Sequence, residues 1–205
     1  MEPIVTQRLI VRRPNKTDLA DFLAYQTHPA NLEHQPVEPL TEERALRFLS
    51  RMATVEIGDE GGYIVFAVEL RSEGRMIGEV SINLLPKLQS KGEVGWSLHP
   101  AYQGHGYATE AAQVLLNYGF TQRNLHRITS ICDTRNTASF RLMERLGMRR
   151  EGHLRQSQLT QGTWHDEYLY ALLRDEWHSQ QHTVSNMLTS RRPNEKAGVS
   201  RSTMK

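Results

Sequence analysis

A glycine-containing segment stands out as the part of this sequence most able to do chemistry. In residues 99–120, HPAYQGHGYATEAAQVLLNYGF, two glycines precede a run with helical spacing of small and apolar residues. A helix N-terminus leaves backbone N–H groups unpaired, and the helix dipole adds positive potential at the same place. Because glycine has no side chain, an anion can approach the amides at Gly104 and Gly106 closely. The segment predicts an anion site; the alternative is a simple tight turn.

Two common phosphate-binding motifs can be compared with this segment. A P-loop ends in Gly-Lys-Ser/Thr, whereas Gly106 is followed by Tyr107 and Ala108. A dinucleotide fingerprint requires a third glycine or alanine at Thr109 and an acidic residue about 20 positions later, at the end of the next strand. The sequence therefore excludes a P-loop and weakens the case for a dinucleotide site.

The other chemistry-bearing residues form no clear cluster in the sequence. His165 and Asp166 are adjacent, but consecutive residues of a strand point to opposite faces, so we expect them to have a structural role in a hairpin. The nine histidines show no His-x-x-x-His pattern with a glutamate and no pairing with cysteine, so we expect no metal site. Cys132 lies among Ile and Thr, which favours a buried thiol over a nucleophile.

The composition indicates a globular protein with a single core. The chain has 205 residues, which is long enough to close one domain without disulfides. No apolar run reaches the roughly 18 residues of a membrane span, and the start, MEPIVTQRL, lacks the features of a signal peptide. A single cysteine agrees with a reducing compartment, so we expect a cytoplasmic protein. The net charge of +2 is too small to indicate nucleic-acid binding.

The pattern along the chain predicts a mixed α/β fold. Its order is strand, two helices, three strands, helix, strand, helix and two strands. The expected strands are residues 7–14, 63–70, 76–85, 93–100 and 126–133, followed by two closing strands at MRREGHL and DEYLYALL. A crossover helix separates strands 93–100 and 126–133, so this pair should be parallel. We expect one domain over residues 1–177 and a disordered basic tail over 178–205.

The glycine segment and its surroundings resemble the GCN5-related N-acetyltransferase (GNAT) family. QGHGYA, residues 103–108, matches Arg/Gln-x-x-Gly-x-Gly/Ala, the acyl-coenzyme A pyrophosphate loop of that family. EVGWSLHP, NTASFRLMERLGMRREG and GTWHDEYLYALLRDEW look most like the ribosomal-protein alanine N-acetyltransferase branch. The resemblance covers about residues 6–177. It implies the GNAT fold, a mixed, mostly antiparallel seven-stranded sheet that splays between strands 4 and 5 and is flanked by about four helices.

The resemblance implies acetyl-CoA as the acetyl donor. In the family, the amides of the loop hold the pyrophosphate of the coenzyme, and the end of the preceding strand pairs with its pantetheine arm. Carried over residue by residue, the implied cofactor contacts are Ser97, Leu98, His99, Gln103, Gly104, His105, Gly106, Tyr107, Ala108, Thr109 and Asn136. Helix capping is the alternative role for Asn136.

The resemblance also implies direct attack of a primary amine on the thioester in a ternary complex. Glu93 matches the position of a glutamate base in several members, and Glu79, on the neighbouring strand, is the second candidate; for each, the alternative is a solvated carboxylate. Met143 occupies the position at which many relatives carry a tyrosine general acid. Ser139 or a bound water is then left to protonate the thiolate, with helix capping as the alternative role of Ser139.

The expected acceptor is the N-terminal α-amine of a protein, of the ribosomal-protein type. An α-amine, with a pKa of about 7.7 to 8.0, needs less help from a base than lysine, at about 10.4. Two alternatives stay open: an acetyltransferase for a small amine (polyamine, aminoglycoside or amino-acid-like toxin), and a non-catalytic module that binds acyl-coenzyme A. We expect no membrane partner and no specific nucleic acid, and either a monomer or a homodimer.

Overall fold

The computed structural model describes residues 2–33, 40–56, 58 and 60–189. In this part of the chain, eight strands form one sheet in the order β1-β2-β3-β4-β5-β6-β8-β7. The strands are β1 (Ile4–Val5), β2 (Leu9–Arg12), β3 (Gly62–Leu70), β4 (Arg75–Leu84), β5 (Lys91–Leu98), β6 (Arg127–Asp133), β7 (Arg149–Thr160) and β8 (Thr163–Leu173). The helices are α1 (Leu19–Gln26), α2 (Pro29–Leu32), α3 (Glu42–Thr54), α4 (Tyr107–Asn117), α5 (Thr137–Arg145) and α6 (Arg174–Thr189).

One parallel contact interrupts an otherwise antiparallel sheet. β5 and β6 are parallel, and they pair only from Lys91↔Arg127 to Glu93↔Thr129. Beyond that point both strands continue, β5 to Leu98 and β6 to Asp133, without pairing to each other. The expected parallel pair and the expected splay are both confirmed. The result is a gap that opens within the sheet.

The sheet has one strand more than the seven that the sequence predicts. The additional strand is β1, a two-residue strand that pairs with β2 at Ile4↔Val11 and Val5↔Ile10. A strand this short has no pattern that could reveal it in the sequence. The remaining seven strands follow the predicted order, so the mixed α/β class and the GNAT topology are confirmed.

Helices cover both faces of the sheet. Along β3, Phe66 and Val68 belong to the larger buried cluster, whereas Ala67 belongs to a smaller cluster on the other face, because side chains alternate along a strand. The larger cluster contains the apolar side of α4, including Leu115 and Leu116. The smaller one is built by α1 and α3. The glycine segment is therefore anchored through a helix that packs firmly on the sheet.

The C-terminal helix extends beyond the predicted domain end. α6 continues to Thr189, so the structure places a helix at the start of the segment predicted as a disordered tail. Trp177, 3% exposed, stacks on Phe120 with ring centroids 6.1 Å apart, which attaches the helix to the core. Residues 190–205 of the predicted tail lie outside the described residues. No helix of the described chain is both long and apolar enough to cross a membrane.

A substitution at Gly78 tests the close pairing of β4 with β5. A Cβ atom at Gly78 would lie 2.3 Å from the Ser97 carbonyl oxygen and 2.8 Å from the Leu98 Cα. Both atoms belong to the backbone, so the strands would have to move apart. We predict that Gly78→Ala lowers the free energy of unfolding by about 1 to 3 kcal/mol in urea denaturation.

Gly58→Ala is the control, because a Cβ atom there has nothing within 4 Å. Its free energy of unfolding should stay within about 0.5 kcal/mol of wild type. Equal stability of the two variants would contradict the close approach of β4 and β5 at Gly78.

Candidate active site

The glycine loop presents backbone N–H groups at the start of α4. Gly104 and Gly106 have φ of +79° and +80°, a left-handed conformation that other residues adopt only with strain. The Glu110 N–H donates to the Gly106 carbonyl oxygen at 3.1 Å, which begins the helical ladder. Among the described residues, the N–H groups from Gly104 to Thr109 have no protein acceptor. The loop is thus a turn of unpaired amides, which is the arrangement that an anion site requires.

A cavity of about 800 Å³ lies where β5 and β6 separate. Its walls are the free edge of β5, the loop and first turn of α4, the end of β6, the start of α5 and part of α2. It brings together most of the residues predicted from the sequence, namely Ser97, Leu98, Gln103, Gly104, Gly106, Tyr107, Ala108, Thr109, Asn136 and Ser139. The predicted residues His99, His105, Glu79 and Glu93 lie outside its lining.

The edge of β5 offers peptide groups to this cavity at alternate residues. The His99 N–H donates to the Ile77 carbonyl oxygen of β4 at 2.9 Å. Because peptide groups alternate sides along a strand, those of Leu98 and Trp96 point the other way, towards the gap. Of the predicted residues Ser97, Leu98 and His99, it is Leu98 whose backbone faces the cavity. Trp96 was missed in the sequence, although the same alternation could have indicated it.

Gln103 ties the loop to the end of β5. Its Nε2 donates to the Leu98 carbonyl oxygen at 3.1 Å. Asn31, in α2, donates to the same oxygen at 3.1 Å and to the Tyr25 carbonyl oxygen at 3.0 Å. The Asn31 amide also lies 3.4 Å from the Ser97 hydroxyl oxygen. Gln103 therefore fixes the position of the loop relative to β5, and Asn31, which was not among the predicted site residues, holds the same carbonyl oxygen from α2.

The start of α5 forms the opposite wall. Asn136 caps this helix by accepting the Ser139 N–H at 3.0 Å, so the capping role proposed as its alternative is observed. The Ser139 side chain is hydrogen bonded with Cys132. Burial raises the pKa of Cys132 to about 11, although the hydrogen bond with Ser139 opposes the rise. The raised pKa keeps the thiol protonated and therefore a poor nucleophile. Met143, in contrast, is fully buried in the core.

Two arginines lie on this wall, one of them paired with an acid. Arg135 and Arg145 both line the cavity. Arg135 forms an ion pair with Asp133, from its Nη2 to Oδ2 at 2.6 Å, and is held beside the end of β6. Together with the amides of the loop, these cations suit a ligand that carries several phosphate groups. Both arginines are cavity residues that the sequence reasoning missed.

Glu79 is the carboxylate with the most unusual environment. It is half-buried on β4, directly opposite Ser97 of β5. The Tyr25 hydroxyl donates to its Oε2 at 2.9 Å, and Gln26 Nε2 donates to its Oε1 at 3.2 Å. Burial raises the pKa of Glu79 to about 7, although both hydrogen bonds oppose the rise. A carboxylate with this pKa can gain or lose a proton at neutral pH.

Glu93 lies at the point where the two strands begin to separate. The residue is exposed, and it shares the face of the sheet that carries Glu79 and Ser97, because it is two and four residues from Gly95 and Ser97 along β5. Partial burial of its carboxylate, and then the negative charge of Glu167, raise the pKa of Glu93. The structure therefore brings two acidic groups to the side of the sheet that α1 and α3 cover.

The site has the features required by a coenzyme A thioester. The cavity volume falls in the range of small-molecule sites, which is about 300 to 1,000 Å³. The loop offers amides to a pyrophosphate, and the β5 edge offers peptide groups to an amide-containing arm. Within the described residues, no three His, Cys, Asp or Glu side chains are grouped so as to hold a metal ion.

Comparison with known proteins identifies the family. Residues 8–149, more than half of the chain, match the family model described as acetyltransferase (GNAT) domain. The chain belongs to the GNAT family. The resemblance seen in the loop is confirmed, and the protein is an N-acetyltransferase of GNAT type, a family in which acetyl-CoA is the donor.

The chain is similar to named N-acetyltransferases over most of its own length and nearly all of theirs. The chain is 37% identical over 174 residues to the uncharacterized N-acetyltransferase YnaD of Bacillus subtilis, covering 85% of this chain and 98% of that protein. It is 28% identical over 182 residues to the [ribosomal protein uS5]-alanine N-acetyltransferase of Escherichia coli, covering 85% and 92%.

A solved structure with the same fold is the ribosomal-protein-S5-alanine acetyltransferase of Vibrio fischeri. It matches with a TM-score of 0.76 at 25% identity, covering 86% of this chain and 99% of that one. A GNAT-family acetyltransferase from Bacillus anthracis matches with a TM-score of 0.74 at 33% identity, covering 85% and 99%.

Proposed function

We propose that this acetyltransferase transfers the acetyl group of acetyl-CoA to the N-terminal α-amine of a protein, by direct attack in a ternary complex. The observation that carries the proposal is the gap between β5 and β6. Unpaired amides of the loop lie at one end of it, and the carboxylates of Glu79 and Glu93 lie on the neighbouring strand β4 and on β5. The similarity to proteins named as ribosomal-protein alanine acetyltransferases supports an α-amine acceptor of this type.

Residues of the loop and of β5 hold the donor in this account. Amides from Gly104 to Thr109 bind the pyrophosphate, and the peptide groups of Trp96 together with the N–H of Leu98 bind the pantetheine arm as an additional strand would. When bound, acetyl-CoA supplies an activated thioester for transfer to the amine. In this proposal, an N–H of the β5 edge polarises the thioester carbonyl.

Glu79 is the base that the surroundings favour. Its cross-strand partner Ser97 lines the cavity, and side chains of directly opposite residues lie about 4.5 to 5.5 Å apart at Cβ. Glu93 is farther from the cavity. It precedes the nearest cavity-lining residue of β5, Gly95, by two positions, a distance of about 7 Å along the strand. A pKa of about 7 also suits a group that takes a proton from an α-ammonium at neutral pH.

Glu93 and Glu167 provide negative potential for the acceptor. Burial raises the pKa of Glu93, and the negative charge of Glu167 adds to the rise, so both carboxylates contribute negative potential on this side of the sheet. This potential attracts a cationic amine towards the gap. On the opposite wall, Ser139 lines the cavity, and we assign its hydroxyl to protonating the leaving sulfur, since Met143 is buried and has no proton to donate.

An acceptor screen tests the proposed function. We predict that acetyl-CoA releases free thiol rapidly with peptides that begin with Ala or Ser, and at least about tenfold more slowly with spermidine or an aminoglycoside. The matched control is the same Ala peptide with a blocked α-amine and an internal lysine. The α-amine is easier to deprotonate, because its pKa of about 7.7 to 8.0 is below the lysine value of about 10.4.

The screen separates the alternatives clearly. Preference for spermidine or an aminoglycoside would replace the protein acceptor with a small amine. Tight binding of acetyl-CoA without acceptor-dependent thiol release would overturn catalysis itself and leave a binding module.

The pH dependence of turnover identifies the base. Because a base must be deprotonated to act, we predict that kcat/KM rises as the pH increases through about 7, the pKa of Glu79, apart from the change due to the acceptor amine. Glu79→Gln should abolish this limb and lower kcat by roughly 10²-fold. The measurement is repeated with two peptides whose α-amines differ in pKa. The part of the pH profile that is due to the acceptor should shift between the peptides, whereas the part that is due to Glu79 should stay near pH 7.

Glu93→Gln is the matched control and should keep the limb near pH 7. Both variants should bind acetyl-CoA with the affinity of wild type, which verifies the integrity of the donor site. If Glu93→Gln removes the limb while Glu79→Gln keeps it, Glu93 is the base and the assignment to Glu79 is wrong.

A further inference from the structure

The N-terminal turn before β2 is bound to the first turn of α4. The Thr6 hydroxyl donates to Oε1 of Glu110 at 2.5 Å, and the Arg8 backbone N–H donates to the same oxygen at 3.0 Å. The Arg8 side chain completes the contact from its Nε to Glu110 Oε2 at 2.7 Å. One carboxylate therefore receives three hydrogen bonds from a turn that is about 100 residues away in sequence.

Arg8 also contacts the glycine loop. Its Nη1 donates to the His105 carbonyl oxygen at 2.8 Å, and its guanidinium carbon lies 4.6 Å from the centroid of the Tyr107 ring. Its Nη2 would be 3.4 Å from a Cβ atom at Gly106. The guanidinium thus touches three successive residues of the loop, on the side where the His105 carbonyl points.

This contact fixes the direction of an amide in the site. In a planar trans peptide, the C=O of one residue and the N–H of the next point in opposite directions. Because Arg8 holds the His105 carbonyl, the Gly106 N–H points away from Arg8. Gly106 lines the cavity, so the orientation suits an N–H that faces a ligand there.

Arg8 has an electrostatic effect as well. Glu110 lies in the first turn of α4, next to the amides that would bind an anion. Burial would raise the pKa of Glu110, but the hydrogen bonds from Thr6 and Arg8 outweigh it and lower the pKa, so this carboxylate is charged at neutral pH. An uncompensated negative charge at this place would repel phosphate groups. The guanidinium of Arg8 offsets it.

We propose that Arg8 is a positioning residue for the pyrophosphate of the donor. It orients the Gly106 amide through the His105 carbonyl and neutralises Glu110 beside the loop. This inference rests on the proposed function only in taking an acyl-coenzyme A as the ligand of the loop.

The test compares donors with and without the pyrophosphate. Arg8→Ala should weaken the binding of acetyl-CoA about 10- to 100-fold in calorimetric titration, the range for a lost charged hydrogen bond. In turnover, kcat/KM with acetylpantetheine, which has no phosphate, should change less than about twofold. Unchanged acetyl-CoA affinity in Arg8→Ala would overturn the proposal, and so would equal losses with both donors. Failure of wild type to bind acetyl-CoA would instead overturn the proposed function.

Arg75→Ala is a matched control for the loss of a surface ion pair. Arg75 pairs with Asp21, whose side chain is 18% exposed, against 17% for Glu110, and Asp21 also accepts a backbone N–H, that of Met76. The acetyl-CoA affinity of Arg75→Ala should equal that of wild type. A loss as large as that of Arg8→Ala would show that any such ion pair suffices, and would contradict the proposal.

A double variant separates the role of charge from simple loss of structure. With Arg8 replaced by Ala, Glu110→Gln should restore acetyl-CoA affinity at least about threefold, because the remaining charge no longer repels the phosphates. A further loss in the double variant would contradict the charge-neutralising role. Arg8→Lys, which keeps the charge but not the paired geometry, should bind acetyl-CoA with intermediate affinity. Affinity as low as that of Arg8→Ala would contradict it as well.

Discussion

The pairing of β5 with β6 ends after Glu93 and Thr129, although both strands continue. The rest of the site depends on the gap that this early end leaves between them. Backbone groups in the middle of a sheet need partners, so two strands that separate leave an edge that a ligand can complete. The β4 side of β5 remains fully paired, from Gly78↔Leu98 to Leu84↔Gly92, which holds that edge rigid. The sheet is therefore both the framework of the protein and one wall of the cavity.

The glycine loop and the face of the sheet that carries Glu79 and Glu93 have opposite electrical character. At the loop, Arg8 supports the turn of unpaired amides, and Arg135 and Arg145 lie on the α5 wall of the cavity, an arrangement that suits phosphates. Across the sheet, Glu79 and Glu93 form an acidic side that suits an amine. Their environments differ: Glu79 is held by Tyr25 and Gln26, whereas Glu93 is exposed near Glu167. A donor and an acceptor of opposite charge can thus approach the same gap from different sides.

Local patterns in the sequence predicted the loop, the order of the seven longer strands, and the parallel pair, because glycine positions, strand composition and a crossover helix are each visible over short stretches. Contacts between distant segments were not predictable. Arg8 and Glu110 are 102 residues apart and Tyr25 and Glu79 are 54 apart, and no local pattern links either pair. The side chain of Gln103 proved to bind the Leu98 carbonyl oxygen, a role that its place in the motif does not reveal.

We propose that the coenzyme occupies the gap and binds the amides of the loop. Hydrogen exchange, followed by mass spectrometry with and without coenzyme A, tests it most directly, because unpaired amides exchange rapidly until a ligand accepts their hydrogen bonds. We predict slower exchange at residues 104–109 and at the β5 edge over residues 94–98, with little change in the β7–β8 hairpin at residues 156–164. Bound coenzyme A that leaves residues 104–109 unprotected would contradict the account.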